Sequence, residues 1–416
     1  MKKSILKLFS CVLFFFFLLN HCLAQSATGG LPSFSQDKHA QLTPFLSRGY
    51  INANFGYINY PFTNANLNKG YSAERIKIPH FSGRIILGCG ITDNLSVQYS
   101  VMRALLWPTY YFTNILGEEE KHSAWINEWG LTLKQRVRIN KNFSFFCEGG
   151  VGLFSRNGFE STTGAIIKDA NYATFLGGAG LHYKLNSRWD LMYSVSYSPE
   201  NRLQKQPYTF MNSAGLIFHL RPVPDSVVAK NSEGKYFFPK NAVQIGGASN
   251  VFGFFANDLF SISPHFKGLP IFWRGNIQTE TGFAVNYQKN VFHTEKRFSL
   301  DWGASASFWQ TEKYRNRFFA LSVFPVLKFW FLRQKPLDMY FVYSIVGPSY
   351  ISRIELDGRN TGKHFTYQDF LGIGSYFGKK RKLNAELKIE HYSNGNLFPV
   401  NPGVDVPLML NFGYAF

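Results

Sequence analysis

Near the C-terminus, residues 389–407 read IEHYSNGNLFPVNPGVDVP. The stretch places His391, Ser393 and Asp405 within one strand-and-loop segment. A His two residues before a Ser, with a carboxylate downstream, holds the parts of nucleophilic acyl transfer. The hydroxyl attacks, the imidazole takes its proton, and the acid fixes the imidazole. A lone H-x-S is common, so the pair gains meaning only from the element that carries it. The alternative is a polar loop that happens to contain these residue types.

The element is a β-strand of period two. Leu383, Ala385, Leu387 and Ile389 occupy one face, and Asn384, Glu386, Lys388 and Glu390 the other. His391 and Ser393 continue the apolar row, about 6.5–7 Å apart along the strand. Counted back from Leu408, alternation turns Asp405 to the opposite face, although Pro402, Gly403 and Pro407 interrupt the strand there. Glu386, Lys388 and Glu390 read as interior ion pairs with no catalytic part.

The same alternation recurs along the chain. Leu408, Leu410, Phe412, Tyr414 and Phe416 oppose Met409, Asn411, Gly413 and Ala415. Trp189, Leu191, Tyr193, Val195 and Tyr197 oppose Asp190, Met192, Ser194 and Ser196. Large apolar groups on one side and small or polar groups on the other suit a transmembrane β-barrel with a crowded lumen. The composition agrees: 43 Phe, 22 Tyr, 8 Trp and 36 Gly, with 17% charged residues. No later segment offers the ~18 consecutive apolar residues of a spanning helix. A soluble aromatic-rich sandwich is the alternative.

Strands are expected at 49–59, 81–91, 95–106, 124–138, 143–155, 173–184, 188–198 and 208–220. A second set is expected at 242–255, 271–292, 298–310, 317–331, 338–352, 365–377, 382–394 and 406–416. Short turns such as ITDN, INKN and LNSR alternate with longer loops, the outer-membrane pattern. Between the sets lies the Pro-bearing stretch 221–241. Periplasmic turns within one barrel are short, so two tandem eight-stranded antiparallel barrels (49–220 and 242–416) are preferred to one of sixteen strands.

The N-terminus carries Lys2, Lys3 and Lys7, an apolar run from Leu8 to Leu19, and Leu23-Ala24 before Gln25. This reads as a signal peptide over 1–24, followed by an N-terminal segment over 25–48. Cys89 and Cys147 then remain, on apolar faces of non-adjacent strands, so no disulfide is expected. The formal charge of +18 suits anionic headgroups or solvated loops equally. His80, His122, His182, His219, His265, His293 and His364 are scattered without ligand spacing, so no metal is expected. The Gly-rich stretches GGAGLHY and GGASNVFGF lie in strands and read as close packing, not as phosphate loops. GKKRK, at 378–382, falls on a periplasmic turn.

HYSN followed by Gly, then NPG and an acidic residue, resembles the lipid A 3-O-deacylases, the PagL-type acyloxyacyl hydrolase family. The resemblance spans roughly 242–416, with its diagnostic residues within 391–405. It implies an outer-membrane barrel whose Ser-His-acid triad faces the outer leaflet and hydrolyses the ester at the 3-position of lipid A. By that resemblance His391 is the base, Ser393 the nucleophile and Asp405 the acid, with Asn394 and Gly395 at the oxyanion hole. It implies no metal and no cofactor. The expected partners are lipopolysaccharide and the bacterial outer membrane; no nucleic acid is expected. Arg315, Arg317, Arg353, Arg359 and Lys363 lie on or beside expected extracellular loops, where they meet lipid A phosphates or solvent. The first barrel has no counterpart in the minimal family. The rival readings are a narrow porin or adhesin, and a lipid A acyltransferase.

Overall fold

The computed structural model describes residues 37–113, 117–161, 164–261 and 272–416. The expected signal peptide, residues 25–36 and His265 lie outside the described residues.

Two closed eight-stranded barrels follow one another, each with every strand hydrogen-bonded to its sequence neighbours. The first comprises β1 (Gly49–Asn59), β2 (Phe81–Gly90), β3 (Leu95–Ala104), β4 (Trp125–Arg138), β5 (Phe143–Asn157), β6 (Ala170–Lys184), β7 (Trp189–Ser198) and β8 (Thr209–His219). The second comprises β9 (Asn241–Ser249), β10 (Ile277–His293), β11 (Phe298–Thr311), β12 (Arg317–Gln334), β13 (Leu337–Ile351), β14 (Phe365–Phe377), β15 (Leu383–Ser393) and β16 (Val404–Ala415). The single sixteen-stranded alternative is excluded by the closure of β1 on β8 and of β9 on β16.

Alternation sets the walls. Leu131, Val151, Phe175, Ile245, Phe329 and Phe412 point outward and are exposed, forming the lipid-facing belt. The interior is filled. In the first barrel Arg84 meets Glu148 at 2.6 Å, and the Tyr50 hydroxyl donates to Gln98 at 2.9 Å. In the second, Lys328 meets Asp301 at 2.6 Å, and Lys388 meets Glu390 at 2.8 Å. Charges withdrawn from water persist only when paired, and these pairs occupy the volume a pore would need. Glu386, Lys388 and Glu390 are buried in this lumen, as their strand face requires. Cys89 and Cys147 are free thiols.

Four departures from simple alternation matter. β9 stops at Ser249, whose side chain caps a 3-10 turn over Asn250–Phe252, so the strand expected to reach 255 is shorter. A short helix α1 (Asp225–Asn231) lies in the inter-barrel stretch. A second, α2 (Phe255–Phe260), and residues 272–276 are not strand but pack on the outside of the second barrel. Above the end of β9, the start of β10 pairs directly and in parallel with β16, Ile277 with Val404 and Gln278 with Asp405.

Candidate active site

His391 lies at the end of β15 between two carboxylates in register. On one side Asp369 of β14 is its cross-strand partner; on the other, Asp405 of β16. Directly opposed residues in an antiparallel sheet share a face. All three therefore project from the outer wall of the barrel.

The expected inward direction of Asp405 is overturned by a bulge. Lys388 pairs with Met409, but Glu390 pairs with Val406, so one extra residue of β16 stands opposite Ile389. Pro407 falls in this irregularity, where the missing N–H removes no ladder bond. The extra residue inverts the parity of everything upstream. Val406 and Met409 share the interior core, and Asp405 joins the His391 face.

Asp369 Oδ1 lies 3.0 Å from His391 Nδ1. With Nδ1–H donating to the carboxylate, Nε2 is the nitrogen left to act as base. Nε2 is buried and has no hydrogen-bond partner among the described residues. It faces Gly403: a Cβ there would stand 2.7 Å from Nε2. Gly403 also has φ +68°, so two independent constraints select glycine.

Asp405 is engaged elsewhere. Its Oδ1 accepts from the Gly275 N–H at 2.7 Å, and its Oδ2 lies 2.8 Å from Arg274 Nε. The Nδ1 partner is therefore Asp369, not the acid selected by spacing. Asp369 belongs to the outward row Phe365, Tyr367, Asp369, Leu371 and Ile373.

Ser393 is half-buried, next to Tyr367 across the ladder, and its side chain makes no hydrogen bond among the described residues. The chain then turns through Gly395 and Asn396, both at φ +60°, and the Leu397 N–H closes onto the Asn394 carbonyl at 3.0 Å. Gly-Asn is a sequence that tolerates two positive φ values. The Asn394 amide donates to the Thr361 and Val400 carbonyls at 3.1 and 2.7 Å. Both its hydrogens are thereby used in bracing the loop. The Gly395 N–H, in contrast, forms no hydrogen bond among the described residues.

His391 emerges on the outer face as its strand parity requires, but it is not open to lipid; only 2% of it is exposed. The Phe272 ring covers it edge-on, with centroids 6.1 Å apart. Ala256 of α2 and Phe272 pack on Ile389, and the Asn257 amide donates to the Val406 carbonyl at 3.1 Å. An imidazole and two carboxylates facing acyl chains uncovered would be costly, and this covering segment removes that exposure. Its own outer side presents Val251, Phe252, Phe255, Leu259 and Phe260, which extend the apolar belt beside the site.

The first barrel reaches this region. The Tyr99 and Tyr367 hydroxyls are 2.7 Å apart, and Trp129 stacks on Tyr367 at 5.9 Å. The Asn157 amide donates to the Pro399 carbonyl at 3.2 Å, and that of Asn171 to the Leu397 carbonyl at 2.9 Å. Among the described residues no group of three His, Cys, Asp or Glu is placed to hold a metal ion.

Residues 273–415 match the family model described as lipid A 3-O-deacylase (PagL). Residues 26–218 match that of the outer membrane protein beta-barrel domain. The lipid A deacylase PagL of Bordetella bronchiseptica is 21% identical over 158 residues, covering 34% of this chain and 84% of that protein. Among solved structures, the outer membrane enzyme PagL is 16% identical at TM-score 0.29, covering 42% of this chain and 99% of its own. Neisserial surface protein A is 15% identical at TM-score 0.29, covering 42% of this chain and 97% of its own. The chain is an outer-membrane, multi-pass β-barrel protein whose second barrel resembles the PagL-type lipid A deacylases.

Proposed function

We propose that the second barrel is a serine esterase that removes the ester-linked 3-O acyl chain from lipid A in the outer leaflet. The observation that carries this reading is the outward row at the end of β15: His391, held at Nδ1 by Asp369, with Nε2 unengaged and Ser393 next on the same face. Nothing in the packing of a lipid-facing wall calls for that arrangement.

The chemistry follows from these parts. Ser393 Oγ adds to the ester carbonyl carbon while His391 Nε2 takes the hydroxyl proton. The tetrahedral oxyanion is stabilised by the Gly395 N–H, on a turn braced by Asn394. Collapse breaks the bond to the sugar oxygen, which receives the proton from Nε2 and leaves as an alcohol. Water then adds to the acyl-enzyme, giving its proton to Nε2. Release of the fatty acid returns that proton to Ser393. Asp369 orients the imidazole throughout and stabilises its protonated form. Asp405 tethers Gly275 and Arg274, which lead into the covering segment. The apolar residues of that segment lie where an acyl chain would approach from the side.

The test is expression of wild type and Ser393→Ala in an outer membrane, followed by mass analysis of lipid A. Loss of one hydroxyacyl mass in wild type alone is the expected result. A gain of an acyl mass would replace the reading by acyl transfer. An unchanged lipid A in both would remove it.

A further inference from the structure

Between the two barrels, at the end that carries Ser393, lies a cleft of about 420 Å³. One wall comes from the first barrel: Trp125 of β4 and Asn157 of β5, which are direct cross-strand neighbours. The other comes from the second: Asn276 before β10, Arg359 and Asn360 of a hairpin, and the loop through Asn401. The lining holds one charge, Arg359, and no carboxylate. Arg359 forms no ion pair among the described residues; the acid next to it in the hairpin, Asp357, is occupied by Thr311 and the main chain of Lys313 and Tyr314.

This lining has a chemical signature. Amides supply both donors and acceptors, the pattern that sugar hydroxyls require. An indole face covers the apolar side of a sugar ring. A guanidinium with no protein partner matches a phosphate. The cleft also has a direct mechanical link to the reacting groups. Asn401 accepts from the Asn394 N–H at 2.9 Å, and Pro402 in the same wall precedes Gly403, the residue against His391 Nε2.

We infer that the inter-barrel cleft binds a phosphorylated saccharide headgroup, with Trp125 and Arg359 facing it from the two barrels. This rests on the deacylase reading for the identity of the headgroup as that of lipid A. The first barrel thereby gains a role in recognition, because it completes the headgroup site that sets the ester against Ser393. The second barrel by itself would lack the Trp125 and Asn157 wall of this lining.

The test uses the full chain in detergent micelles and a water-soluble probe, the fully deacylated, phosphorylated glucosamine disaccharide. Binding is read by calorimetry for wild type, Trp125→Ala and Arg359→Ala, with folding checked by heat-modifiable gel mobility. The unphosphorylated disaccharide and inorganic phosphate alone serve as the other arms. Wild type is expected to bind the phosphorylated sugar saturably. Each substitution should weaken it roughly tenfold or more, the scale of one charge-assisted contact or one stacking platform. Arg359→Ala should leave the unphosphorylated sugar unaffected, and Trp125→Ala should weaken both sugars. Absence of saturable binding, equal binding by inorganic phosphate alone, or indifference to both substitutions overturns the inference. Lipid A hydrolysis is measured on the same preparations. Hydrolysis with Trp125- and Arg359-independent binding removes the cleft and keeps the esterase; dependent binding without hydrolysis keeps the cleft and removes the esterase.

Discussion

Replacing Asp369 by Asn, in parallel with Asp405 by Asn, separates the two carboxylates that flank His391. Asp369 accepts the Nδ1 hydrogen at 3.0 Å and is buried in the wall. An amide in its place turns its NH2 toward Nδ1 and selects the tautomer with the proton on Nε2. The base is then blocked before the reaction begins. In Ser-His-Asp hydrolases that change costs on the order of 10⁴-fold in kcat. Each decade is about 1.4 kcal/mol of transition-state stabilisation, so the loss is ~5 kcal/mol. Asp405→Asn differs in kind. The Asn oxygen still accepts from Gly275, and Arg274 retains Asp258 as an ion partner. What is lost is one ion pair to a partly exposed Arg274. The cost to kcat is expected within about tenfold, because the Asp369 contact at Nδ1 that sets the imidazole tautomer is untouched. The assay is the initial rate of fatty-acid release from purified lipid A, at equal amounts of folded protein. A loss beyond about 100-fold for Asp405→Asn, with Asp369→Asn within tenfold, would refute the argument from register and return the orienting role to Asp405.

Other substitutions test other parts of the same geometry. Gly403→Ala should abolish fatty-acid release while the barrel still shows folded gel mobility, because its Cβ would lie 2.7 Å from Nε2 and its φ of +68° disfavours any side chain. Asp301→Ala leaves Lys328 buried without its 2.6 Å partner and should destabilise the second barrel by ~3–5 kcal/mol in urea-dependent gel-mobility titrations. Asn171→Ala removes the donor to the Leu397 carbonyl and should lower kcat several-fold with about 1 kcal/mol less stability, read by the same two assays. Cys147, exposed on the lipid face, should react with a lipid-soluble maleimide in intact membranes faster than half-buried Cys89, read by mass; a non-reducing gel should show no internal bridge.

Periodicity alone suffices for the walls. Where apolar and small residues alternate regularly, as in β14, the strand falls where its pattern places it; β9, truncated by the Ser249 cap, stops short of the expected 255, and β10 starts at Ile277 rather than at the expected 271. His391 and Ser393 are legible for the same reason: they break an apolar row that otherwise faces lipid. Asp369 carries the identical signal, a carboxylate in an outward apolar row of β14, but it lies 22 residues upstream of its imidazole. Distance along the chain hides it, since only strand register brings β14 beside β15. The direction of Asp405 escapes parity counting, which assumes no bulge. Pro407 is the available sign, as a residue that cannot donate to the ladder marks where a count should stop.

The covering segment and the contribution of the first barrel are not legible, and for a common reason. Neither α2 nor Phe272 has a period that shows which wall it packs on; that follows from the early end of β9, after which Ala256 of α2 and Phe272 pack against Ile389 on the outside of β15. Likewise, Asn157 and Asn171 look like ordinary loop-end polar residues until the second barrel's carbonyls at Pro399 and Leu397 stand opposite them. These bonds bear on how the site works. The turn that carries Gly395 has two positive φ residues, and it is braced from within by Asn394 and from outside by the first barrel. An oxyanion donor acts only if it is fixed before charge develops. The Asn157 and Asn171 amides of the first barrel hold the chain just beyond that turn, at the Pro399 and Leu397 carbonyls, from outside the second barrel.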